Sequence, residues 1–310
     1  MSALKAEMRK RVLVLDGAMG ALLQAHGKSG NLDALCLTEP ELVAGIHREY
    51  LEAGADIIET NTFNSNRLSQ LTYGMAAQVA DINMAAARIA REAVRAFAAR
   101  HPGSPPRFVA GAMGPTALSA SAAPGSGRHV PFGTLTDAYA EQAAALILGG
   151  VDALLVETAF DLRNIQAALE GISLANRGEG SRVPFMVSMT ISPASGTLLS
   201  GHTLTEVLAT LSGYDLLALG FNCCSGPRGL DSLVKELAEA SPFPVILYPN
   251  AGLPDEKGRY SETPESFSTL LSPVLKAGYL NIAGGCCGTT PEHIRALCGL
   301  AHSAPPHNVP

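Results

Sequence analysis

The chain has 310 residues, 47% of them hydrophobic and 16% charged, which supplies one large apolar core and too little length for two catalytic domains of ordinary size. A formal net charge of -6, with Lys and Arg scattered along the chain, excludes the basic stripe that grips phosphate backbones, so no nucleic-acid partner is expected. The first apolar run, residues 12–15, is far shorter than a signal-peptide core or a bilayer span, so no membrane partner is expected and the location predicted is cytoplasmic.

Short runs rich in Val, Ile and Leu recur at 12–15, 56–59, 108–112, 153–157, 185–189, 216–220, 245–248 and 280–284. Their apolarity is nearly continuous, as in strands of a parallel sheet covered on both faces. Each is followed by an Ala- and Leu-rich stretch of helical character. The clearest opens at Thr38-Glu39-Pro40-Glu41, read as a Thr N-cap with an early Pro, runs over 42–53 and stops at Gly54. Helices are also predicted at 137–148, closed by Gly149-Gly150, and at 205–211, closed by Ser212-Gly213. Eight strand-then-helix units without a long linker predict a single-domain (β/α)8 TIM barrel over 1–303, with 304–310 as a flexible tail. The Gly/Ser/Pro-rich stretch Ser119–Gly127 is expected to form a mobile loop on the strand-end face.

In such a barrel the reactive groups sit at the carboxyl ends of the strands. Those positions here are polar or nucleophilic: Asp16, Glu59-Thr60-Asn61, Glu157-Thr158, Asn222-Cys223, Asn250 and Cys286-Cys287. Six cysteines in a chain of this size, four of them in two adjacent pairs, point to metal or reactivity before disulfides. A catalytic zinc keeps three protein ligands and one open position, and Cys223, Cys286 and Cys287 can supply the three. The competing reading, cysteines packed as small apolar residues, suits the isolated Cys36 and Cys298. It suits the Gly-Gly-Cys-Cys-Gly run poorly, because a glycine-rich turn is a weak place for core packing. Cys224 stays open between spare ligand, neighbouring thiol and spectator. Asp16 and Glu157 are either structural acceptors for the next loop or carboxylates for a substrate ammonium. The turn Asp16-Gly17-Ala18-Met19-Gly20 presents backbone N–H groups suited to a carboxylate. Together these describe a pocket for an amino acid bearing a free thiol.

The same residues resemble the homocysteine S-methyltransferase family, and most closely the homocysteine-binding module of cobalamin-dependent methionine synthase. The resemblance runs from Leu15-Asp16-Gly17-Ala18-Met19-Gly20 through Ile58-Glu59-Thr60-Asn61-Thr62-Phe63, Glu157-Thr158, Asn222-Cys223 and Pro249-Asn250 to Gly284-Gly285-Cys286-Cys287-Gly288. It implies a TIM barrel with Zn2+ on Cys223, Cys286 and Cys287. Homocysteine would sit against Asp16, Gly17, Ala18 and Glu157, and Asn250 would be a displaceable ligand at the zinc's open position. The activity implied is transfer of a methyl group to the homocysteine thiol, giving methionine. The donor stays open between S-methylmethionine, S-adenosylmethionine and a corrinoid protein. In the last case the chain would be the acceptor module of a split methionine synthase, with methylcobalamin or a folate carried by a separate partner. Betaine fits less well, since there is no Trp and only 5% aromatic content to cage a quaternary ammonium.

Overall fold

A computed structural model describes residues 2–180 and 182–308. Eight parallel strands form the sheet: β1 (Leu13–Val14), β2 (Ile57–Glu59), β3 (Phe108–Met113), β4 (Ala153–Ala159), β5 (Phe185–Met189), β6 (Ala218–Cys223), β7 (Val245–Pro249) and β8 (Ile282–Ala283). Each pairs with its neighbour in sequence, and β8 returns to β1 through Leu13 opposite Ile282. A parallel bridge between Leu15 and Ile57, with Asp16 N donating to Ile57 O at 3.0 Å, joins β1 to β2 and closes the (β/α)8 barrel.

Strand alternation sorts the core into two parts. Leu13, Leu15, Ile57, Phe108, Ala110, Ala153, Leu155, Met186, Ala218, Ile246, Tyr248 and Ile282 pack together inside the barrel, and Leu4 and Met8 of the N-terminal helix Ala3–Met8 join them. Their sequence neighbours, such as Val14, Ile58, Val109, Leu154, Val187, Leu219 and Leu247, pack outward against the helices. Both faces of every strand are thereby buried, which accounts for the unbroken apolar runs.

The helix over Pro40–Ala53 ends as its sequence predicts, with Gly54 in a left-handed conformation at φ 110°. Its start differs. Thr38 belongs to the preceding short helix Leu35–Thr38, its Oγ1 donating to Ala34 O at 3.4 Å, so Glu39 takes the N-cap position and Pro40 opens the helix. The helix expected at 137–148 begins earlier, spanning Phe132–Gly149, and the one expected at 205–211 is Leu204–Leu211, capped by Thr203 with Glu206. The sixth strand lies further along than 216–220, because pairing with β7 continues to Cys223 opposite Pro249.

The loop expected to be mobile at 119–127 is tied down in its first part. Ser119 Oγ and Ser121 Oγ both donate to Asp161, Ala120 N donates to Asn164 Oδ1 at 3.0 Å, and residues 123–128 stay exposed. The expected tail is also held where it is described: His307 N donates to Leu280 O at 3.0 Å and Asn281 Nδ2 to His307 O at 2.9 Å. Met1, Val309 and Pro310 of the expected barrel and tail lie outside the described residues. Among the described residues no helix is long and apolar enough to cross a membrane.

Candidate metal and substrate site

The alternation that places Ile57, Leu155, Ala218 and Ile246 inside the barrel also directs Glu59, Glu157, Asn222 and Tyr248 inward, near the carboxyl ends of their strands. A polar layer therefore caps the apolar interior. An open cleft of about 460 Å³, lined by Lys5, Arg9, Asp215 and Asn281 among others, lies at the opposite end of the barrel, away from these groups.

Above this layer three sulfurs meet. Cys223 Sγ lies 3.0 Å from Cys286 Sγ, Cys286 Sγ lies 4.0 Å from Cys287 Sγ, and all three fall within 4.8 Å of one another. Two consecutive side chains reach one point because the chain reverses at Gly288, whose φ is 80° and whose added Cβ would strike the Tyr260 ring at 2.1 Å. Cys223 itself sits at φ 57°, Cys224 at 51° and Thr158 at 53°. Three non-glycine residues in this costly region, all at the sulfur rim, mark a backbone held by its surroundings.

Asn222 does much of the holding. Its Oδ1 accepts from Thr158 N and from Ser188 Oγ, both at 2.8 Å, while its Nδ2 donates to Thr158 Oγ1 at 2.8 Å and to Cys286 Sγ at 3.8 Å. One buried amide thus fixes the ends of β4, β5 and β6 and orients a cysteine. Asn250 braces the other side: its Oδ1 accepts from Cys287 N at 3.1 Å and its Nδ2 donates to Cys224 O at 2.9 Å. Both ends of the Asn250 amide are engaged with the cysteine loops, because β7 ends between them. Cys224 falls outside the sulfur cluster, its thiol donating to Asn222 O at 3.3 Å.

The donor set fits zinc. Tetrahedral coordination with Zn–S near 2.3 Å separates sulfurs by about 3.8 Å, so the Cys223–Cys286 pair would part by about 0.8 Å and the Cys286–Cys287 pair would hardly move. Hydrogen bonds from the Cys223 and Cys286 thiols hold Cys287 well below the usual thiol range, while contacts with Cys223 and Cys287, together with burial, push Cys286 up.

Beside the sulfurs lie three carboxyl groups. Asp16 is 2% exposed; its Oδ2 accepts from Glu59 N at 3.0 Å, and its Oδ1 is enclosed without a partner. Glu157 is 5% exposed. Burial, then the neighbouring Glu59 and Asp16 charges, push Glu157 up; burial and Glu59 push Asp16 up; burial pushes Glu59 up to about 8. Gly17 is buried, and Ala18 N donates to Thr289 Oγ1 at 3.3 Å while Tyr50 Oη donates to Ala18 O at 3.3 Å, fixing the turn against the β8 loop. The structure therefore gathers Asp16, Gly17 and Ala18 on one side and the sulfur trio on the other, with Glu157 between strands β3 and β5. Glu59, Asn222 and Tyr248 were not assigned individual roles from sequence. Counting in twos from the apolar Ile57, Ala218 and Ile246 identifies each as inward-facing.

Comparison with known proteins accords with this geometry. A profile of the family described as homocysteine S-methyltransferase matches residues 13–300. The crystal structure of the homocysteine methyltransferase MmuM from Escherichia coli in its metallated form superposes with a TM-score of 0.78 at 27% identity, covering 93% of this chain and 96% of that one. Its oxidized form gives 0.76 at 26% identity, covering 93% and 95%. The carboxyl transferase domain of Rhizobium etli pyruvate carboxylase, at 15% identity and a TM-score of 0.50 over 96% of this chain and 48% of that one, shares the fold alone. With a matching profile over most of its length and a sulfur trio at the barrel mouth, the chain belongs to the homocysteine S-methyltransferase family.

Proposed function

We propose that the protein transfers a methyl group to the thiol of homocysteine, giving methionine, with zinc bound by Cys223, Cys286 and Cys287. The observation that carries this reading is the juxtaposition of three sulfurs within 4.8 Å with a buried, cation-free set of carboxyl groups. Bound zinc supplies a Lewis acid that keeps the substrate sulfur as thiolate near neutral pH, where a free alkyl thiol is mostly protonated. The chain's own residues do the rest. Glu157 and Asp16 accept hydrogen bonds from the substrate ammonium, and the Gly17-Ala18 turn lies against its carboxylate. Asn222, Thr158 and Asn250 hold the cysteines in place, so that little reorganisation accompanies binding. In the transfer, a bond forms between the substrate sulfur and the methyl carbon while the donor's bond to that carbon breaks, its electron pair leaving with the donor.

The Escherichia coli protein that matches along 96% of its length is named a homocysteine methyltransferase, and that name supports reading this chain as an enzyme in its own right rather than an acceptor module. Purified zinc-loaded protein, homocysteine and a sulfonium donor, S-methylmethionine or S-adenosylmethionine, should give methionine with no second protein. Turnover that appears only when a corrinoid protein is added would overturn that choice.

A further inference from the structure

Glu59 is a half-buried titratable group, one of its carboxyl oxygens shut off from solvent, with no task in the transfer just described. It closes β2, and alternation from Ile57 turns its side chain into the barrel, toward the layer that holds Glu157 and Tyr248. Two carboxyl oxygens facing this space lack any partner and are shut off from solvent, Glu59 Oε1 and Asp16 Oδ1, and the Tyr248 side chain beside them is only 1% exposed. Among the described residues no ion pair engages Glu59, Asp16 or Glu157, and Glu59 raises the cost of charging both other acids. Unpaired buried acceptors of this kind are rare, because each forfeits its hydration without return. A ligand that brings positive charge and several N–H donors satisfies them together; an anionic or purely apolar one leaves them stranded.

We propose that Glu59 is a third carboxylate of the subsite for the substrate's α-ammonium group, and that it makes the enzyme select amino-acid thiols over thiols lacking the amine. An ammonium carries three N–H donors, and Asp16, Glu59 and Glu157 offer acceptors from the ends of β1, β2 and β4. The inference rests on the homocysteine reading above.

The test is titration of zinc-loaded protein with homocysteine and with 4-mercaptobutyrate, which keeps the thiol, chain and carboxylate but has no amine. Wild type should bind homocysteine more tightly. Glu59→Gln should weaken homocysteine binding by about tenfold or more, the scale of a charge-assisted hydrogen bond, and leave 4-mercaptobutyrate unaffected within about twofold. In turnover the same variant should raise KM while kcat holds. Equal weakening of both thiols would show a merely structural role, and no weakening of either would remove Glu59 from the subsite; each overturns the inference. If Glu59→Gln does not fold, Glu59→Asp, which retains the charge and withdraws it by one methylene, should give the same selective loss. Wild-type protein that binds no homocysteine would contradict the proposed function itself, an outcome distinct from a silent Glu59.

Discussion

Asn222 shows how a single side chain converts a strand end into a site. Its amide makes bonds to Thr158, Ser188 and Cys286, and the first of these holds Thr158 at φ 53°. Replacing it with Ala removes the brace and leaves Thr158 N and Ser188 Oγ with a lost acceptor. Asn222→Ala is expected to lower stability by about 1–3 kcal/mol, read from denaturant unfolding, and to weaken zinc retention against a competing chelator. Unchanged zinc affinity in a folded variant would separate Asn222 from the metal site. The meeting of three sulfurs was legible in sequence because thiol pairs beside glycines have few other uses. The parts played by Asn222 and Asn250 were not, since an amide's function depends on which strand ends it spans, and this appears only when β4, β6 and β7 are placed side by side. Thus the Asn250 amide joins the Cys224 and Cys287 backbones, a contact that a single run of sequence does not display.

At the scale of elements, helix stops were more legible than helix starts. Gly54 and Gly150 end their helices in left-handed conformations that glycine adopts at no steric cost, a signal local to one residue. Starts depend on what precedes them: Thr38 looks like a cap, but the turn Leu35–Thr38 claims it first. Gly54 is further constrained because an added Cβ would lie 2.8 Å from Cys298 Sγ on the helix Pro291–Ala301. Gly54→Ala should therefore cost about 1–3 kcal/mol of stability, and a melting temperature equal to wild type would contradict the packing described. Strand limits shifted for a similar reason. β6 runs on to Cys223 because β7 supplies partners as far as Pro249, and that extension carries the cysteine to the rim.

For the whole molecule, the two barrel ends serve different purposes. The strand-end mouth concentrates uncompensated acids and thiols, whereas the opposite end ties the chain together through Asp56. Its carboxylate, fully buried, accepts from Arg11 at 2.7 and 3.0 Å, Val14 N at 3.0 Å and His302 Nε2 at 2.8 Å, and also pairs with Arg107. Burial alone would raise this acid; hydrogen bonds from His302 and Arg11 outweigh it and hold Asp56 below the ordinary carboxylate range. A carboxylate depressed in the folded state contributes stability above its unfolded value, near pH 4, and that contribution is lost as pH falls through the folded value. Asp56→Asn should cost about 3 kcal/mol at neutral pH, and the gap to wild type should narrow below about pH 4. A gap independent of pH would show that packing, not charge, holds this end together.

In the proposed site three cysteine sulfurs hold one zinc ion and leave a position for the substrate's sulfur. X-ray absorption at the zinc edge counts sulfur neighbours directly, at about 2.3 Å. Zinc-loaded protein should show three sulfurs and one lighter atom, changing to four sulfurs when homocysteine is added. Four sulfurs before addition, or a count that homocysteine leaves unchanged, would contradict the account.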